Sequence, residues 1–340
     1  MQQLYNSLAA INSSYQSLKN VINVLKTELE IKQIHNVIPI PIRDEIEFRN
    51  LNFSYNNEKQ ILDNINLTIK KGEIIGIIGF TGGGKSTLID ILMGLLNPTS
   101  GEVRVDGNIV NRNGYSEKLI NWQSSISHVP QNIYLIDASI AENIAFGEKS
   151  NNINMDKVKY VANKANISSF IESTKYKYKT KVGENGVLLS GGQRQRIGIA
   201  RALSLSPKII IADEAVSALD VSIQAQVVNL MMELQEEYGL SYLFISHDMA
   251  VIERVCHRVA VMYLGEIVEL GSRSQVFENP QHPYTKKLMK AVPVADPNLR
   301  KRELNIMTDE IPSALKPINY EPEKVDLIKI EEGHFIKPYL

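Results

Sequence analysis

A glycine-rich loop set between an apolar run and a helical pattern is the strongest constraint in the sequence. Residues 79–87 read Gly-Phe-Thr-Gly-Gly-Gly-Lys-Ser-Thr, after the apolar run 73–78 and before the helical pattern 88–96. Glycines let successive backbone N–H groups turn inward, and the helix start adds its positive dipole end. The loop therefore predicts a phosphate-binding site, in which Lys85 reaches the β- and γ-phosphates and Ser86 binds Mg²⁺. A tight turn without a ligand is the alternative. The expected contact residues are Gly79, Thr81, Gly82, Gly83, Gly84, Lys85, Ser86 and Thr87.

A second apolar run ends in two carboxylates. Residues 209–212 read Ile-Ile-Ile-Ala and are followed by Asp213 and Glu214. The carboxyl ends of parallel strands form the ligand-binding edge of a sheet. We therefore expect Asp213 in the Mg²⁺ shell and Glu214 as the general base that polarises the attacking water. Adjacent strand residues point to opposite faces, which would let the two acids do different work. Two merely solvated acids are the alternative.

Charge and composition exclude several classes of function. The 340 residues carry 37 Lys and Arg against 38 Asp and Glu, so the net charge of -1 gives no general attraction to nucleic acid, which is not an expected partner. The only cysteine, Cys256, excludes an intramolecular disulfide and is expected to be buried. Apolar runs of about seven residues are too short for a membrane span, which needs about 18. The sequence thus predicts a globular protein that does not itself cross a membrane.

Apolar residues follow two different periods along the chain. Over residues 1–31 they repeat in steps of four and three, which predicts a helix with one apolar seam. Such a helix would dock on a partner helix or lie on its own domain. From Glu45 the period is two, and later segments alternate between helix and buried strand, which indicates a parallel α/β core. Residues 132–189 lack a strong strand and are interpreted as an inserted helical subdomain. The seam consists of Leu4, Leu8, Ile11, Tyr15, Leu18, Ile22, Leu25 and Leu29.

The pentapeptide Leu-Ser-Gly-Gly-Gln at residues 189–193 resembles the signature of the ABC ATPases, the motor domains of ATP-binding cassette transporters. Ser190 and the two glycines after it would form another anion-accepting helix start. The resemblance implies a P-loop NTPase core with a parallel sheet, an antiparallel β edge subdomain and an inserted helical subdomain at about 132–190. It also implies a head-to-tail homo- or heterodimer with a second ABC ATPase domain, in which the signature closes over ATP held by the other subunit. The signature residues expected at ATP are Ser190, Gly191, Gly192 and Gln193.

Four further positions match the family. Tyr55 resembles the aromatic residue that stacks on adenine, and Asp220 lies in a segment that resembles the family's dimer-contact loop after the catalytic glutamate. Gln131 resembles the glutamine that contacts Mg²⁺ and water, and His247 resembles the histidine that senses the γ-phosphate. The resemblance thus implies ATP and Mg²⁺ as cofactors. The implied catalytic residues are Glu214, His247 and Gln131, and the implied metal ligands are Ser86, Gln131 and Asp213.

The two halves of the chain resemble different branches of this family. Up to about residue 200, segments such as 131–136 and 140–147 look like the motor domains of lipid and lipid-linked-sugar exporters. From about residue 203, segments such as 207–222 and 281–288 look like the ATP-binding subunits of oligopeptide and glutathione importers. Two interpretations stay open. The chain is recombined, engineered or misassembled within residues 190–205, or it is an unusual importer subunit.

The resemblance predicts three regions. Residues 1–41 would form the N-terminal helix and linker, residues 42–272 the ABC ATPase domain, and residues 273–340 an importer-type extension. The expected function is that of a peripheral ATPase on the cytoplasmic face of the plasma membrane. It would power transport of peptide-like solutes, of the oligopeptide or glutathione type, across the membrane, together with integral membrane permeases and a solute-binding protein. The direction stays open, and import is favoured over export. The alternatives are a lipid-exporter motor without its membrane helices and a soluble ABC ATPase outside transport.

Overall fold

The computed structural model describes residues 37–55, 59–111, 116–290 and 326–338, together with short stretches before residue 23. The chain divides into two compact units, Met1–Val37 and Ile38–Leu340. In the first unit, the stretches described before residue 23 are all helical, as the repeat predicts. They are residues 2–3, 5–7, 14–16, 18–19 and 21–22.

Three residues of the predicted apolar seam lie in these stretches. Tyr15, Leu18 and Ile22 are helical and exposed. The other five seam positions lie outside the described residues, so docking of this helix on a partner stays a prediction. Those positions are Leu4, Leu8, Ile11, Leu25 and Leu29.

The second unit contains two sheets in its described part. A four-stranded antiparallel sheet has the order β2-β1-β4-β5, and an eight-stranded main sheet has the order β11-β12-β10-β9-β3-β8-β7-β6. In the main sheet, β9, β3, β8, β7 and β6 run parallel, and β10, β12 and β11 continue it with antiparallel pairs. The predicted α/β fold is confirmed. The strands are β1 Glu45–Tyr55, β2 Lys59–Lys70, β3 Ile74–Ile78, β4 Ser100–Val105, β5 Asn108–Asn111, β6 Ile126–Val129, β7 Ile209–Asp213, β8 Ser241–Ile245, β9 Arg258–Tyr263, β10 Glu266–Ser272, β11 Ile328–Glu331 and β12 His334–Ile336.

The central strands are buried on both faces, which explains their nearly continuous apolar sequence. In β3, Ile74 and Ile78 belong to one apolar cluster, which also contains residues of the helical region. Ile75 and Ile77 belong to the other cluster, which contains the antiparallel sheet. Cys256 is buried and free, as predicted.

Helices cover the main sheet and fill the segment between β6 and β7. They are α1 Lys85–Leu92, α2 Glu117–Gln123, α3 Ile140–Ile144, α4 Met155–Lys164, α5 Ser168–Ser173, α6 Gly191–Ser204, α7 Val221–Tyr238, α8 Met249–Val255, α9 Arg273–Glu278 and α10 Pro283–Lys290. The sequence places the end of α1 near residue 96, but the helix stops at Leu92 because Gly94 adopts a left-handed conformation with φ +69°. Trp122 of α2 is fully buried and its indole N–H donates to the Leu92 carbonyl at 2.7 Å, which ties α2 to the end of α1.

Helices α3, α4 and α5 form the region that the sequence assigns to a helical subdomain. The buried side chain of Asn143 holds the first turn of this region, because its amide donates to the Ile136 carbonyl and accepts from the Ile136 N–H, both at 3.0 Å. Arg201 of α6 donates to the Asn143 carbonyl at 2.8 Å and to its side-chain oxygen at 3.1 Å. This arginine therefore connects the helical region to the helix that leads into β7.

The C-terminal segment adds a hairpin to the main sheet. The last forty-odd residues are interpreted from sequence as a small appendage or a partly ordered tail. Of these, the described residues 326–338 form β11 and β12, and β12 pairs with β10 through Glu269 opposite Ile336 and Leu270 opposite Phe335. His334 of β12 is fully buried against Glu269. The hairpin is thus part of the main sheet, while residues 291–325 lie outside the described residues.

Candidate functional site

The glycine-rich loop connects β3 to α1, as the sequence predicts. Gly79 has φ +147°, and a Cβ atom there would lie 2.1 Å from the Met262 carbonyl oxygen of β9. Gly84 caps α1 with φ +94°, and a Cβ atom there would lie 2.7 Å from the side chain of Leu62. Glycine is thus required at both ends of the loop, because the backbone passes so close to its neighbours.

The loop leaves its middle and the start of α1 accessible. A Cβ atom at Gly82 would meet nothing within 4 Å. Thr81, Gly82 and Ser86 are exposed, whereas Gly83, Gly84 and Thr87 are buried. The geometry fits an anion that approaches the N-terminus of α1 from solvent, with Gly82 and Ser86 at its surface.

Lys85 lies across this loop and donates to two of its carbonyl groups. Its ammonium group is 2.7 Å from the Gly79 oxygen and 2.8 Å from the Phe80 oxygen. Burial lowers the pKa of Lys85, while the negative charges of Glu214 and Asp213 act in the opposite direction. The lysine is therefore a half-buried cation, the charge that an anion site requires, and two acidic residues lie near it.

Asp213 ends β7 and Glu214 follows it, but strand alternation does not separate the two acids as the sequence predicts. β7 ends at Asp213, and Glu214 takes φ +48°, so its backbone has already left the strand conformation. The Glu214 N–H donates to the Ile245 carbonyl of the neighbouring strand β8 at 2.9 Å. Burial raises the pKa of Asp213, to which the charges of Glu214 and Asp90 add, while Lys85 opposes them. A turn in the backbone therefore gives the two acids their different environments.

His247 and Gln131 both lie within reach of the Glu214 region. The His247 Nδ1 atom is 3.3 Å from the Glu214 carboxylate, and its side chain is 65% exposed. The Gln131 side-chain amide donates to the Ser217 hydroxyl at 3.1 Å, and that hydroxyl donates to the Glu214 carbonyl at 2.9 Å. The structure thus connects all three predicted catalytic residues, and it adds Ser217 as the link to Gln131.

Sheet topology explains why these residues meet. Strands β3, β8, β7 and β6 are parallel neighbours in that order. The glycine-rich loop follows β3, His247 follows β8, Glu214 follows β7 and Gln131 follows β6. Since the carboxyl ends of parallel strands share one edge, side chains far apart in sequence line up along it.

The signature residues begin helix α6. Ser190 caps this helix, and its hydroxyl accepts the Gln193 N–H at 3.3 Å while the Gln193 side chain accepts the Ser190 N–H at 2.8 Å. Gly192 lets α6 approach α7, because a Cβ atom there would lie 2.7 Å from the Ile223 side chain. Ser190 is exposed, and among the described residues no hydrogen bond or ion pair joins residues 190–193 to the glycine-rich loop.

Two further predicted residues lie at exposed positions. Tyr55 ends β1, is 49% exposed and packs edge-on against Phe53 with ring centroids 4.7 Å apart. Asp220 precedes α7 without capping it through its side chain. Both side chains are therefore accessible, and their roles stay predictions.

Sequence reasoning missed one contact of the loop. The Phe80 N–H donates to the Tyr284 hydroxyl at 3.0 Å, although Tyr284 lies on α10 in the C-terminal segment. Its motif at residues 281–288 is recognisable from sequence, but nothing there indicates that the tyrosine reaches the loop. This contact is visible only in the folded chain.

The candidate donors for a metal ion are oxygen atoms. The side chains of Ser86, Asp213 and Gln131 offer a hydroxyl, a carboxylate and an amide oxygen, which is the ligand type that Mg²⁺ prefers. Among the described residues, no group of three or more His, Cys, Asp or Glu side chains is arranged to hold a metal ion. The donor set thus fits Mg²⁺ that takes its remaining ligands from water and phosphate.

Comparison with known proteins gives matches to two family models and to several curated relatives. Residues 62–217 match the family described as ABC transporter, and residues 268–318 match the C-terminal region of oligopeptide/dipeptide transporters. The glutathione import ATP-binding protein GsiA of Pectobacterium atrosepticum is 40% identical over 315 residues, which cover 90% of this chain and 48% of the relative. GsiA of Salmonella typhimurium is 41% identical over 287 residues, 82% of this chain and 44% of the relative.

A solved structure shares the fold. A bacterial Atm1-family ABC exporter with ATP bound aligns with a TM-score of 0.67 and 25% identity, over 85% of this chain and 50% of the exporter chain. The chain spans about half the length of the curated relatives that it matches. None of the helices in the described residues combines the length and apolar character that crossing a membrane requires.

Proposed function

The chain carries an ATP-binding domain of the ABC transporter family, and on this premise we propose that it is an ATP-hydrolysing motor subunit of a transporter. One observation carries the proposal. Along a single edge of the main sheet, the loop that holds Lys85 is followed by His247, Glu214 and Gln131, each at the end of a neighbouring parallel strand. This set contains a phosphate-binding cation, a general base and two polar groups beside that base.

ATP would bind at the glycine-rich loop and the start of α1. Lys85 exchanges its two loop carbonyl acceptors for phosphate oxygens, which are stronger acceptors because they are charged. Ser86, Asp213 and Gln131 would hold Mg²⁺, and the ion would neutralise negative charge on the phosphates. Tyr55, which is exposed, stacks on the adenine ring.

Hydrolysis would use Glu214 to accept a hydrogen bond from the attacking water and to polarise it. His247, 3.3 Å from this carboxylate, orients it and lies at the exposed end of β8. Gln131 acts from the other side through Ser217, whose hydroxyl bonds the Glu214 carbonyl. A movement of the helical region would be transmitted to Glu214 through Gln131 and Ser217, because the region begins just after Gln131.

A second ABC ATPase domain would complete the site. The signature Ser190–Gln193, in which Ser190 is exposed, lies at the start of α6, and the exposed Asp220 precedes α7. At such helix starts, free backbone N–H groups can donate to an anion. In a head-to-tail dimer, the signature of each subunit closes over the γ-phosphate bound by the other. Hydrolysis would then depend on closure of the dimer, whether it contains two copies of this chain or two different ones.

We further propose that the transporter imports peptide-like solutes, of the oligopeptide or glutathione type. The C-terminal match to oligopeptide/dipeptide transporters and the glutathione-import relatives support this direction. The Pectobacterium relative aligns over 90% of the chain, so the alignment includes residues on both sides of position 200 and favours an importer subunit over a recombined chain. The partners would be integral membrane permeases and a solute-binding protein, with this subunit on the cytoplasmic face.

The proposed division of the chain into three regions rests on its similarity to importer ATP-binding subunits. Residues 1–41 would serve as helix and linker, residues 42–272 as the ATPase domain with its helical subdomain at about 132–190, and residues 273–340 as the importer-type extension. The boundary between the two compact units, after Val37, lies close to the first limit. The match to the oligopeptide/dipeptide C-terminal region begins at residue 268, close to the second limit.

The variant Glu214→Gln tests the enzymatic role. It keeps the size of the side chain but removes the base, so ATP hydrolysis should fall at least about 100-fold while ATP binding is retained. Glu172→Gln is the matched control, because Glu172 is a surface acid of the helical region paired with Lys177 at 2.9 Å. Unchanged hydrolysis in Glu214→Gln would remove Glu214 from its role.

A lipid or lipid-linked-sugar exporter is the second candidate, favoured by the exporter neighbour in structure and by the exporter-like segments before residue 200. Affinity purification from detergent-solubilised membranes of the source cell, followed by mass spectrometry, separates the candidates. Two unlike multi-span permeases with a solute-binding protein would establish an importer. A single multi-span exporter companion would establish the alternative, and recovery without any membrane protein would contradict both.

A further inference from the structure

The C-terminal extension touches the glycine-rich loop through one buried tyrosine. Tyr284 on α10 is 5% exposed, and its hydroxyl accepts the Phe80 N–H at 3.0 Å. Its ring lies against Tyr263 of β9 with centroids 4.2 Å apart, and Phe80 lies 5.9 Å away. The ring packing and the hydrogen bond together fix the position of the hydroxyl beside the Phe80 N–H.

A buried carboxylate fixes the segment that presents Tyr284. Glu269 of β10 is fully buried, and it accepts the backbone N–H groups of Gln281 at 2.8 Å and His282 at 2.9 Å. The same carboxylate bonds the ring of His334, at 2.8 Å from Nε2, in the C-terminal hairpin. The turn before α10 is therefore held on one side by β10 and on the other by the hairpin.

Tyr284 and Lys85 bind opposite ends of the same peptide group. The Phe80 N–H donates to Tyr284, and the Gly79 carbonyl of that peptide accepts from the Lys85 ammonium at 2.7 Å. A peptide group is planar and rigid, so fixing its N–H also fixes the direction of its carbonyl. The tyrosine hydroxyl thus holds the orientation of the Gly79–Phe80 peptide, also when Lys85 exchanges the Gly79 carbonyl for a phosphate oxygen.

We propose that Tyr284 is a positioning residue for the phosphate-binding loop, by which the C-terminal extension sets the conformation of the Gly79–Phe80 peptide and so the affinity for ATP. The inference rests on the proposed ATP-binding function and deepens it. It implies that the extension is part of the nucleotide site, in addition to any contact that it makes with transporter partners.

The variant Tyr284→Phe isolates the hydroxyl, because the ring that packs on Tyr263 is retained. Loss of one hydrogen bond to a loop that must stay ordered should weaken ATP binding about fivefold, the equivalent of about 1 kcal/mol at 1.4 kcal/mol for each factor of ten. The rate of hydrolysis at saturating ATP should stay unchanged, because the catalytic groups on β7 and β8 are untouched. Amide hydrogen exchange at Phe80, measured without nucleotide, should become faster.

Tyr176→Phe is the control, since it removes the hydroxyl of an exposed tyrosine in the helical region. Faster exchange at Phe80 together with weaker ATP binding, seen only in Tyr284→Phe and in a chain that still melts cooperatively above the assay temperature, supports the proposal. Unchanged exchange, or faster exchange with unchanged affinity, overturns it.

Failure of the proposed function is recognised separately. If the native chain and Tyr176→Phe do not bind ATP, the ATP-binding function itself is wrong and the positioning role is overturned with it. The exchange measurement still reports on the contact in that case, because it needs no nucleotide.

Discussion

Replacement of Gly79 by alanine gives the sharpest test of the loop geometry. The new Cβ atom would lie 2.1 Å from the Met262 carbonyl oxygen and 3.1 Å from its carbonyl carbon, against the 3.4 Å at which ordinary contact begins. Both are backbone atoms of Met262 in β9, and β9 is held beside β3 by the pairing of Ile78 with Val261. Neither can rotate away as a side chain would, so the loop must shift by about 1 Å or more, a displacement that can cost about 100-fold in an active site.

We therefore expect Gly79→Ala to weaken ATP binding at least about tenfold. Stability should fall by about 1–3 kcal/mol for the backbone conformation and by about 1–3 kcal/mol for the overpacking. Isothermal titration calorimetry and thermal melting measure the two effects. Gly107→Ala is the control, because Gly107 also has a positive φ of +77° but a Cβ atom there meets nothing within 4 Å.

The control should lose only the stability that the backbone conformation costs and should bind ATP normally. If Gly79→Ala binds ATP as tightly as the native chain and melts no lower than Gly107→Ala, the close approach to Met262 does not constrain the loop. The conclusion that the fold requires glycine at position 79 would then be wrong.

Three further predictions concern residues with different surroundings. Lys85→Ala should weaken ATP binding about 10–100-fold, because a charge-assisted hydrogen bond to phosphate contributes about 1.5–3 kcal/mol. Trp122→Phe should lower the melting temperature through a loss of about 1–3 kcal/mol, because it leaves the buried Leu92 carbonyl without the indole donor. Burial raises the pKa of Asp213 above its ordinary value of 3.8, so its ionisation opposes folding at neutral pH. Asp213→Asn should therefore raise the melting temperature at pH 7 without nucleotide. The gain should shrink as the pH falls and vanish below about pH 3, where the carboxyl group is protonated in both states.

Each of these has a result that contradicts it. Lys157→Ala, at an exposed lysine of α4, is the control for Lys85, and equal ATP affinities in the two variants would refute the role of Lys85. A melting temperature unchanged in Trp122→Phe would show that the Leu92 carbonyl finds another donor. A gain in Asp213→Asn that is equal at pH 4 and pH 7 would mean that ionisation of this carboxyl is not its cause.

The site could be predicted from sequence where local chemistry determines it. A glycine-rich loop between a buried strand and a helix specifies its own geometry, and two acids after a second buried strand must lie at the same sheet edge. Lys85, Asp213 and Glu214 were therefore accessible to sequence reasoning. The separation of Asp213 from Glu214 was not, because it comes from a backbone turn at Glu214, whose φ of +48° no strand pattern indicates.

Long-range pairing is the part that the sequence does not reveal. The Tyr284 contact joins residues 204 positions apart, and the pairing of β12 with β10 bridges residues for which no structure is described. No local periodicity indicates either contact, because both depend on which distant segments lie side by side in the folded chain. The end of α1 at Leu92 is a smaller case. The sequence suggests that Pro98 ends this helix, but Gly94 already stops it.

The pairing of Glu269 with His334 has a consequence for the order of folding. The two residues are 65 positions apart, so β10 is synthesised well before the histidine that completes its burial. Until then β10 is an edge strand that carries Glu269 on it, and a charge at an edge discourages pairing with strands of other chains. The carboxylate that later anchors α10 and the hairpin would thus first protect the nascent sheet against aggregation.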